Sequence, residues 1–157
     1  PRLKPISFSR TRIAERERPS VFMHQLFPAP IGPSCDILVV DDDATLRAVL
    51  KIFLERCGYV VECAKDGRAA LKLLDRMRTR LVVTDLFMPE CDGFELILHL
   101  RKKAPDLAVL AISGDGMSDL DVFMGAVRQL GVRFTLKKPF SLTELASLVK
   151  QAMREAL

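Results

Sequence analysis

The strongest constraint on the fold of this chain is an alternation, repeated five times, between a short β-branched apolar run and a longer amphipathic segment. The apolar runs read DILVVD (36–41), YVVECA (59–64), LVVTD (81–85), LAVLAIS (107–113) and VRFTLK (132–137). Short runs that are apolar at nearly every position are typical of strands that are buried on both faces. The pattern therefore predicts five strand–helix units.

The residues at the ends of the amphipathic segments mark the limits of the predicted helices. Gly58 and Gly131 stand where the first and fourth helices are expected to stop, because glycine accepts the left-handed conformation that commonly follows a helix. Ser141 and Glu144 form the S-x-x-E pattern of a capping box before the last helix. We expect helices over 44–57, from 66 or 67 to about 77, over 92–103, from about 118 to 131, and after 141.

This order of elements predicts a parallel sheet with helices on both faces. Because crossovers between parallel strands are right-handed, five such units fit a three-layer α/β fold. The expected architecture is a doubly wound, five-stranded parallel sheet in the flavodoxin-like order 2-1-3-4-5. Ligands of such sheets bind at the carboxyl ends of the strands, beside the switch point between strands 1 and 3.

The charge of the chain is unevenly placed and predicts a domain boundary. Residues 1–34 carry six basic and two acidic residues, whereas residues 35–157 carry 18 of each. The same first 34 residues hold six of the nine prolines. We therefore predict an irregular, basic N-terminal arm over 1–34, as a leader or extension, and one globular domain over 35–157. Contact of the arm with nucleic acid or a membrane surface is the less favoured alternative.

The composition favours a soluble protein of the cytoplasm. With 49% hydrophobic and 28% charged residues, the chain is typical of globular domains, and no segment approaches the roughly 18 apolar residues of a membrane span. Its four cysteines form no C-x-x-C pair and have no histidine at zinc-ligand spacing. We expect them to be reduced thiols, with disulfides the less favoured alternative; they are Cys35, Cys57, Cys63 and Cys91.

Charged and polar side chains stand where the predicted strands end. They are Asp41 and Asp42 after strand 1 with Asp43 beyond, Asp85 after strand 3, Ser113 after strand 4 and Lys138 after strand 5. Because the carboxyl ends of parallel strands meet at one edge of the sheet, we expect these side chains to share a crevice. Packed carboxylates repel one another, and a hard dication such as Mg²⁺ relieves that repulsion.

Such a cluster permits phosphoryl transfer. With the metal bound, the Asp85 carboxylate can attack a phosphoryl group and form an aspartyl phosphate. The metal and the Lys138 ammonium would offset the charge on the phosphoryl oxygens. A hydrogen bond from Ser113 to the attached phosphoryl group would form only after this modification, which makes strand 4 and the following loop a candidate switch.

Four motifs resemble those of a known family, the receiver domains of two-component response regulators. The motifs are VVDDD after strand 1, DLFMPECDG at strand 3, AIS at strand 4 and KKPF after strand 5, within about residues 36–157. The resemblance implies a phosphoacceptor domain that receives its phosphoryl group from a histidine kinase or histidine phosphotransfer protein. Such a domain catalyses only its own phosphorylation and dephosphorylation, and it occurs either alone or within a longer regulator.

The resemblance also implies a role for individual residues. Asp85 matches the phosphoacceptor, Asp41 and Asp42 match the acidic pair that serves Mg²⁺, and the Phe87 backbone carbonyl matches a further metal ligand. The metal ligands are then expected to be Asp41, Asp42, Asp85 and Phe87.

Further positions fall on the family's switch and on its variable residues. Ser113 falls on the switch hydroxyl, and Lys138 falls on the phosphate-pairing lysine, whose bond to Pro139 is expected to be cis. Thr135 departs from the family, which usually has an aromatic residue at this position; the neighbouring Phe134 should point to the other face of the strand. Phe87 and Asp115 stand where the family tunes the lifetime of the phosphoryl group.

Two other classes of function fit part of this set. An aspartyl-phosphate phosphatase of the haloacid dehalogenase type also uses a nucleophilic aspartate, but it needs a second aspartate where this chain has Phe87. An unphosphorylated, receiver-like docking module would not need the complete set of carboxylates, hydroxyl and amine.

The expected partners are proteins. Besides the phosphoryl donor, a second copy of the chain or a downstream protein could bind the face formed by helix 4, strand 5 and helix 5; membranes and nucleic acid are not expected partners. The fourth helix has more apolar residues than one core stripe requires, so either some of them face a partner or the helix is buried. These residues are Val122, Phe123, Met124, Val127 and Leu130.

Overall fold

Five strands and five helices alternate along the part of the chain that the computed structural model describes, which is residues 32–88, 93–114 and 120–156. The predicted arm up to residue 31, and with it Cys91, Asp115 and Ser118, lies outside the described residues. In chain order the elements are β1 (Ile37–Val40), α1 (Ala44–Arg56), β2 (Val61–Ala64), α2 (Gly67–Leu74), β3 (Leu81–Asp85), α3 (Gly93–Lys103), β4 (Ala108–Ser113), α4 (Leu120–Gln129), β5 (Phe134–Lys137) and α5 (Leu142–Glu155).

The strands form one parallel sheet in the order β2-β1-β3-β4-β5, which confirms the predicted topology. Ile37 of β1 pairs with Val61 of β2 on one side and with Leu81 of β3 on the other. The chain therefore reverses its direction of travel across the sheet at the β1–β3 boundary. In doubly wound folds this boundary is where ligands bind, at the carboxyl ends of the two strands.

Each face of the sheet has its own apolar cluster. Because neighbouring side chains of a strand point to opposite faces, Leu38 and Val40 belong to one cluster and Ile37 and Val39 to the other. Helices α2, α3 and α4 cover the first face with residues that include Ala70, Leu96, Ile97 and Val127. Helices α1 and α5 cover the second face with residues that include Leu50, Leu54, Leu145 and Val149. The three-layer architecture is thus confirmed.

The helix ends follow the predicted signals. Gly58 and Gly131 have φ of 92° and 77°, the left-handed conformation that a residue with a Cβ rarely adopts. Both halves of the capping box are present before α5: the Glu144 N–H donates to Ser141 Oγ over 3.1 Å, and the Ser141 N–H donates to the Glu144 carboxylate over 2.8 Å. Asp43 caps α1 by accepting the N–H groups of Thr45 and Leu46.

Several elements are shorter than expected, helix α2 and strand β2 among them. Helix α2 stops at Leu74 rather than near residue 77, because Arg78 forms a parallel bridge with Ser34 and its N–H donates to the Pro33 carbonyl over 3.2 Å. Strand β2 begins at Val61, the first residue that has a register partner on β1.

Three of the five apolar residues of the fourth helix pack into the domain. Val127 is buried, and Met124 and Leu130 pack against the same apolar cluster. The side chains of Val122 and Phe123 lie outside the described part of the structure. In the described residues, no helix has the length and apolar character needed to cross a membrane.

Candidate functional site

Three carboxylates meet at the carboxyl end of the sheet, at the β1–β3 boundary. Asp41 directly follows β1, Asp42 comes next, and Asp85 is the last residue of β3. One carboxylate oxygen from each of the three lies within 4.8 Å of the others. Asp41 and Asp85 are buried, with 1% and 6% of their surfaces exposed, whereas Asp42 is exposed. The structure therefore places a concentrated negative charge at the edge where the topology favours a ligand.

Lys138 supplies the positive charge closest to two of these carboxylates. Its Nζ contacts Asp85 Oδ2 and lies 3.4 Å from Asp41 Oδ2. Burial alone would lower the pKa of Lys138, but the hydrogen bond and charge of Asp85, together with those of Asp41, outweigh burial and raise it. The lysine is therefore a cation in this site.

The backbone fixes the position of Lys138. The residue directly follows β5, and its N–H donates to the Ser113 carbonyl at the end of β4 over 2.7 Å. The Lys138–Pro139 peptide bond is cis, as the family resemblance implied.

Asp41 is held at its carboxylate and at its backbone. Its Oδ1 accepts the Asp43 N–H over 2.8 Å, and its own N–H donates to the Ala64 carbonyl of β2 over 3.3 Å. Burial raises the pKa of Asp41, and the Asp85 charge acts in the same direction, against the Asp43 N–H and the Lys138 ammonium. The buried carboxylate thus sits where added positive charge would stabilise its ionised form.

The side chain of Asp85 is oriented from both of its oxygens. Oδ1 accepts the backbone N–H of Phe87 over 3.0 Å, and Oδ2 faces Lys138. The backbone carbonyl of Asp85 accepts the buried Thr84 hydroxyl over 2.9 Å. These contacts limit the rotation of a carboxylate that lies almost entirely inside the protein.

Ser113 ends β4 with a buried hydroxyl. The residue is fully buried, and its Oγ has no hydrogen-bond partner in the described part of the chain. It follows Ile112, which is the register partner of Asp85 across the β3–β4 pair. A buried hydroxyl without a partner is costly, so Ser113 Oγ is a candidate donor to a group that binds at this end of the sheet.

Strand β5 shows the departure at Thr135 that the resemblance identified. Phe134 is buried in the apolar cluster that α1 and α5 cover. Thr135 points to the opposite face of the strand and is half-buried. Thr135 therefore occupies the position at which the family usually has an aromatic residue, and the ring of Phe134 does not replace it.

Two residues near the cluster were not identified from sequence. Arg47 of α1 donates from Nη1 to the Asp41 backbone carbonyl over 2.6 Å. Gly93 begins α3 so close to β3 that a Cβ at this position would lie 1.9 Å from the Asp85 carbonyl oxygen. The D-G pair that ends DLFMPECDG predicts a turn at Gly93 but not its close contact with Asp85. No sequence pattern indicates the contact of Arg47.

The donors in this cluster suit a hard cation. They are carboxylate oxygens, which Mg²⁺ and Ca²⁺ prefer, rather than the sulfur and imidazole ligands typical of zinc sites. Two of the carboxylates are buried next to one ammonium, so the described cluster keeps an excess of negative charge. The residues present therefore fit a magnesium ion.

Comparison with known proteins gives the family. The sequence model of one protein family, the response regulator receiver domain, matches residues 37–150. The response regulator MprA of Mycolicibacterium vanbaalenii is 40% identical over 119 residues, which are 75% of this chain and 50% of that protein. The DNA-binding transcriptional regulator NtrC of Rhizobium meliloti is 37% identical over 121 residues, which are 76% of this chain and 24% of that protein. The chain thus spans half or less of the length of these two relatives.

Solved structures agree with the sequence comparisons. The receiver domain of NtrX from Brucella abortus is 32% identical, has a TM-score of 0.68, and is matched over 76% of this chain and 98% of that domain. A CheY-like receiver domain protein from Methanospirillum hungatei is 26% identical with a TM-score of 0.70, over 80% of this chain and 96% of that one. The chain therefore belongs to the response regulator receiver domain family of two-component signalling.

Proposed function

We propose that this domain accepts a phosphoryl group on Asp85 from a histidine kinase or histidine phosphotransfer protein. The observation that carries the proposal is the position of the Asp85 carboxylate, which is oriented by the Phe87 N–H and Lys138 within a cluster that also contains Asp41 and Asp42. Residues 35–157 are the proposed phosphoacceptor domain, residues 1–34 a leader or extension, and the proposed compartment is the cytoplasm.

The reaction is a transfer between two side chains. A carboxylate oxygen of Asp85 attacks the phosphorus of the donor's phosphohistidine, and an O–P bond forms as the N–P bond breaks. The electron pair of the broken bond returns to the donor's imidazole ring, which takes up a proton from solvent. Within this chain, the Lys138 ammonium lies where it can offset charge on the incoming phosphoryl oxygens.

Asp41, Asp42 and Asp85, with the Phe87 backbone carbonyl, are the proposed ligands of Mg²⁺. When bound, the ion would offset the charge of the carboxylates and of the phosphoryl oxygens. The cluster of three carboxylates supports this assignment, because a cation relieves their mutual repulsion.

Ser113 is the proposed link between phosphorylation and a change of surface. Its buried Oγ, which has no partner in the described residues, can donate a hydrogen bond to a phosphoryl oxygen on Asp85. Such a bond would pull the end of β4 toward the phosphoryl group. The surface that α4, β5 and α5 present to a second copy or a downstream protein would then change. With Thr135 in place of an aromatic residue, the change does not involve a ring at that position.

The domain is proposed to catalyse only its own phosphorylation and dephosphorylation. A phosphatase of the haloacid dehalogenase type would need a carboxylic acid two residues after Asp85, where this chain has Phe87. Phe87 has no acidic side chain, and its backbone N–H donates a hydrogen bond to the Asp85 carboxylate.

The proposal is tested by incubating the native chain with acetyl phosphate, with and without Mg²⁺, and following its intact mass. We expect the mass of one phosphoryl group to be added in the presence of Mg²⁺, and not to be added to Asp85→Asn. Asp75→Asn is the matched control, because Asp75 is an exposed carboxylate whose ion pair is with Lys103. This variant should be phosphorylated like the native chain.

The other outcomes identify the alternative functions. Rapid release of phosphate with no lasting adduct would favour a phosphatase. Absence of both adduct and turnover would favour a docking module that is not phosphorylated. An adduct of equal yield on Asp85→Asn would show that Asp85 is not the acceptor.

A further inference from the structure

Arg47 is a residue of α1 that reaches back to the strand end at which the carboxylates cluster. Its Nη1 donates to the Asp41 backbone carbonyl over 2.6 Å. Its own N–H donates to the Asp43 carbonyl over 2.9 Å, as part of the first turns of the helix. One side chain thus ties α1 to the peptide unit between Asp41 and Asp42.

That peptide unit sets the position of two of the three carboxylates. The Asp41 carbonyl and the Asp42 N–H belong to one rigid plane, so a bond to the carbonyl fixes the direction in which the chain enters Asp42. Asp41 has further anchors, at its N–H and at both carboxylate oxygens. Asp42 is exposed and depends more on the backbone that leads into it.

We propose that Arg47 is a positioning residue for the cation-binding carboxylates. Repulsion among the three carboxylates favours their separation, and the exposed Asp42 can move most easily. By holding the Asp41–Asp42 peptide, Arg47 keeps the Asp42 carboxylate close to Asp41 and Asp85. The inference rests on the proposed function, because the cation concerned is the Mg²⁺ of the phosphoacceptor site.

The charge of Arg47 acts in the opposite direction to its hydrogen bond, and this difference makes the proposal testable. A guanidinium near the site repels a dication, so if charge alone mattered, removing it would strengthen Mg²⁺ binding. If the hydrogen bond matters more, removing it weakens Mg²⁺ binding. Groups that orient metal ligands typically change metal affinity by about tenfold or more.

The experiment measures Mg²⁺ binding by isothermal titration calorimetry on the native chain and on Arg47→Met, Arg47→Lys and Lys51→Met. Lys51 is the matched control, because it is also a basic residue of α1 and also donates to a backbone carbonyl, that of Val61 on β2. We expect Arg47→Met to bind Mg²⁺ about tenfold more weakly than the native chain. Arg47→Lys should be intermediate, because it keeps one donor, and Lys51→Met should bind like the native chain.

Several results would overturn the inference. One is that Arg47→Met binds Mg²⁺ as tightly as the native chain or more tightly. Another is that Lys51→Met loses as much Mg²⁺ affinity as Arg47→Met, which would indicate a general loosening of α1. If thermal unfolding shows that Arg47→Met is not folded, Arg47→Lys becomes the test, and a Mg²⁺ affinity equal to that of the native chain would overturn the inference. A native chain that takes up no Mg²⁺ contradicts the metal site of the proposed function and this inference with it, whereas the other results contradict the inference alone.

Discussion

Single residues at the end of β3 show how a buried carboxylate is kept in one orientation. One carboxylate oxygen of Asp85 accepts the Phe87 N–H and the other contacts Lys138, so each oxygen has a partner that fixes its position. The backbone of Asp85 is constrained as well, by the Thr84 hydroxyl and by the start of α3 at Gly93. The orientation of the Asp85 carboxylate therefore depends on main-chain packing as well as on its contact with Lys138.

A methyl group at position 93 should disturb the backbone of Asp85, the proposed phosphoacceptor. In Gly93→Ala the added Cβ would lie 1.9 Å from the Asp85 carbonyl oxygen and 2.9 Å from the Leu86 Cα, both of them backbone atoms that cannot rotate away. We expect this variant to lose about 1–3 kcal/mol of unfolding free energy in urea titrations and to be phosphorylated more slowly by acetyl phosphate.

Gly125→Ala is the control for that change. A Cβ at Gly125 in α4 meets nothing within 4 Å, so this variant should be unchanged or more stable by about 0.5–1 kcal/mol. Equal stability and equal phosphorylation rates for Gly93→Ala and the native chain would contradict the close packing of α3 on β3.

Residues differ in how far the sequence predicts their part in the site. Asp41, Asp85 and Lys138 could be placed together because a parallel sheet brings the ends of its strands to one edge. Arg47 and Gly93 act through contacts with backbone carbonyls across elements, and no side-chain chemistry signals such a contact in advance.

Elements were predicted well where the signal is local and less well where a distant partner decides. The first helix ends close to Gly58, and α5 begins after Ser141, because capping is a local interaction. The end of α2 depends instead on Arg78, whose N–H donates to the Pro33 carbonyl and which forms a β-bridge with Ser34. A helical pattern in the sequence has no information about that contact.

The capping box of α5 should give the domain a measurable acid sensitivity. The Ser141 N–H and hydroxyl lower the pKa of Glu144 from its ordinary 4.5. A carboxylate whose pKa is lower in the folded state stabilises the fold above its ordinary pKa, and this stabilisation is lost as pH falls through the lowered value. Glu144→Gln should therefore be less stable than the native chain at neutral pH, and this difference should shrink in acid.

Urea unfolding at a series of pH values checks this expectation. Glu62→Gln serves as the control, because Glu62 is an exposed residue of β2 that caps no helix. A stability difference between Glu144→Gln and the native chain that stays constant from neutral to acid pH would contradict the capping role of the Glu144 carboxylate.

In the domain as a whole, the candidate site lies at one end of the sheet, and the two apolar clusters that stabilise the fold lie on its two faces. Both apolar clusters are built from strand and helix residues, and the buried charged residues in the described part are Asp41 and Asp85, at the carboxyl ends of β1 and β3. Changes in the site can thus leave the core intact, as the proposed change of surface requires.

The proposed division into arm and domain predicts how the chain tolerates shortening. A chain of residues 32–157, which keeps the last three residues of the proposed arm, should have the phosphorylation and thermal stability of the full chain, because it retains the hydrogen bonds of Pro33 and Cys35 to Arg78. A chain that begins at Asp36 loses those bonds and the buried Cys35, and it should be less stable by about 1–3 kcal/mol. Thermal unfolding of the three chains compares them, and loss of folding in the 32–157 chain would contradict the division.

If the cluster at the carboxyl end of the sheet makes Asp85 the phosphoacceptor, chemical mapping will locate the phosphoryl group on that residue. The native chain is treated with acetyl phosphate and Mg²⁺, reduced with borohydride, which converts an aspartyl phosphate to homoserine, and digested for peptide mass spectrometry. We predict homoserine at position 85 and at no other position. Homoserine at Asp41, Asp42 or another carboxylate, with Asp85 unmodified, would show that Asp85 is not the phosphoacceptor.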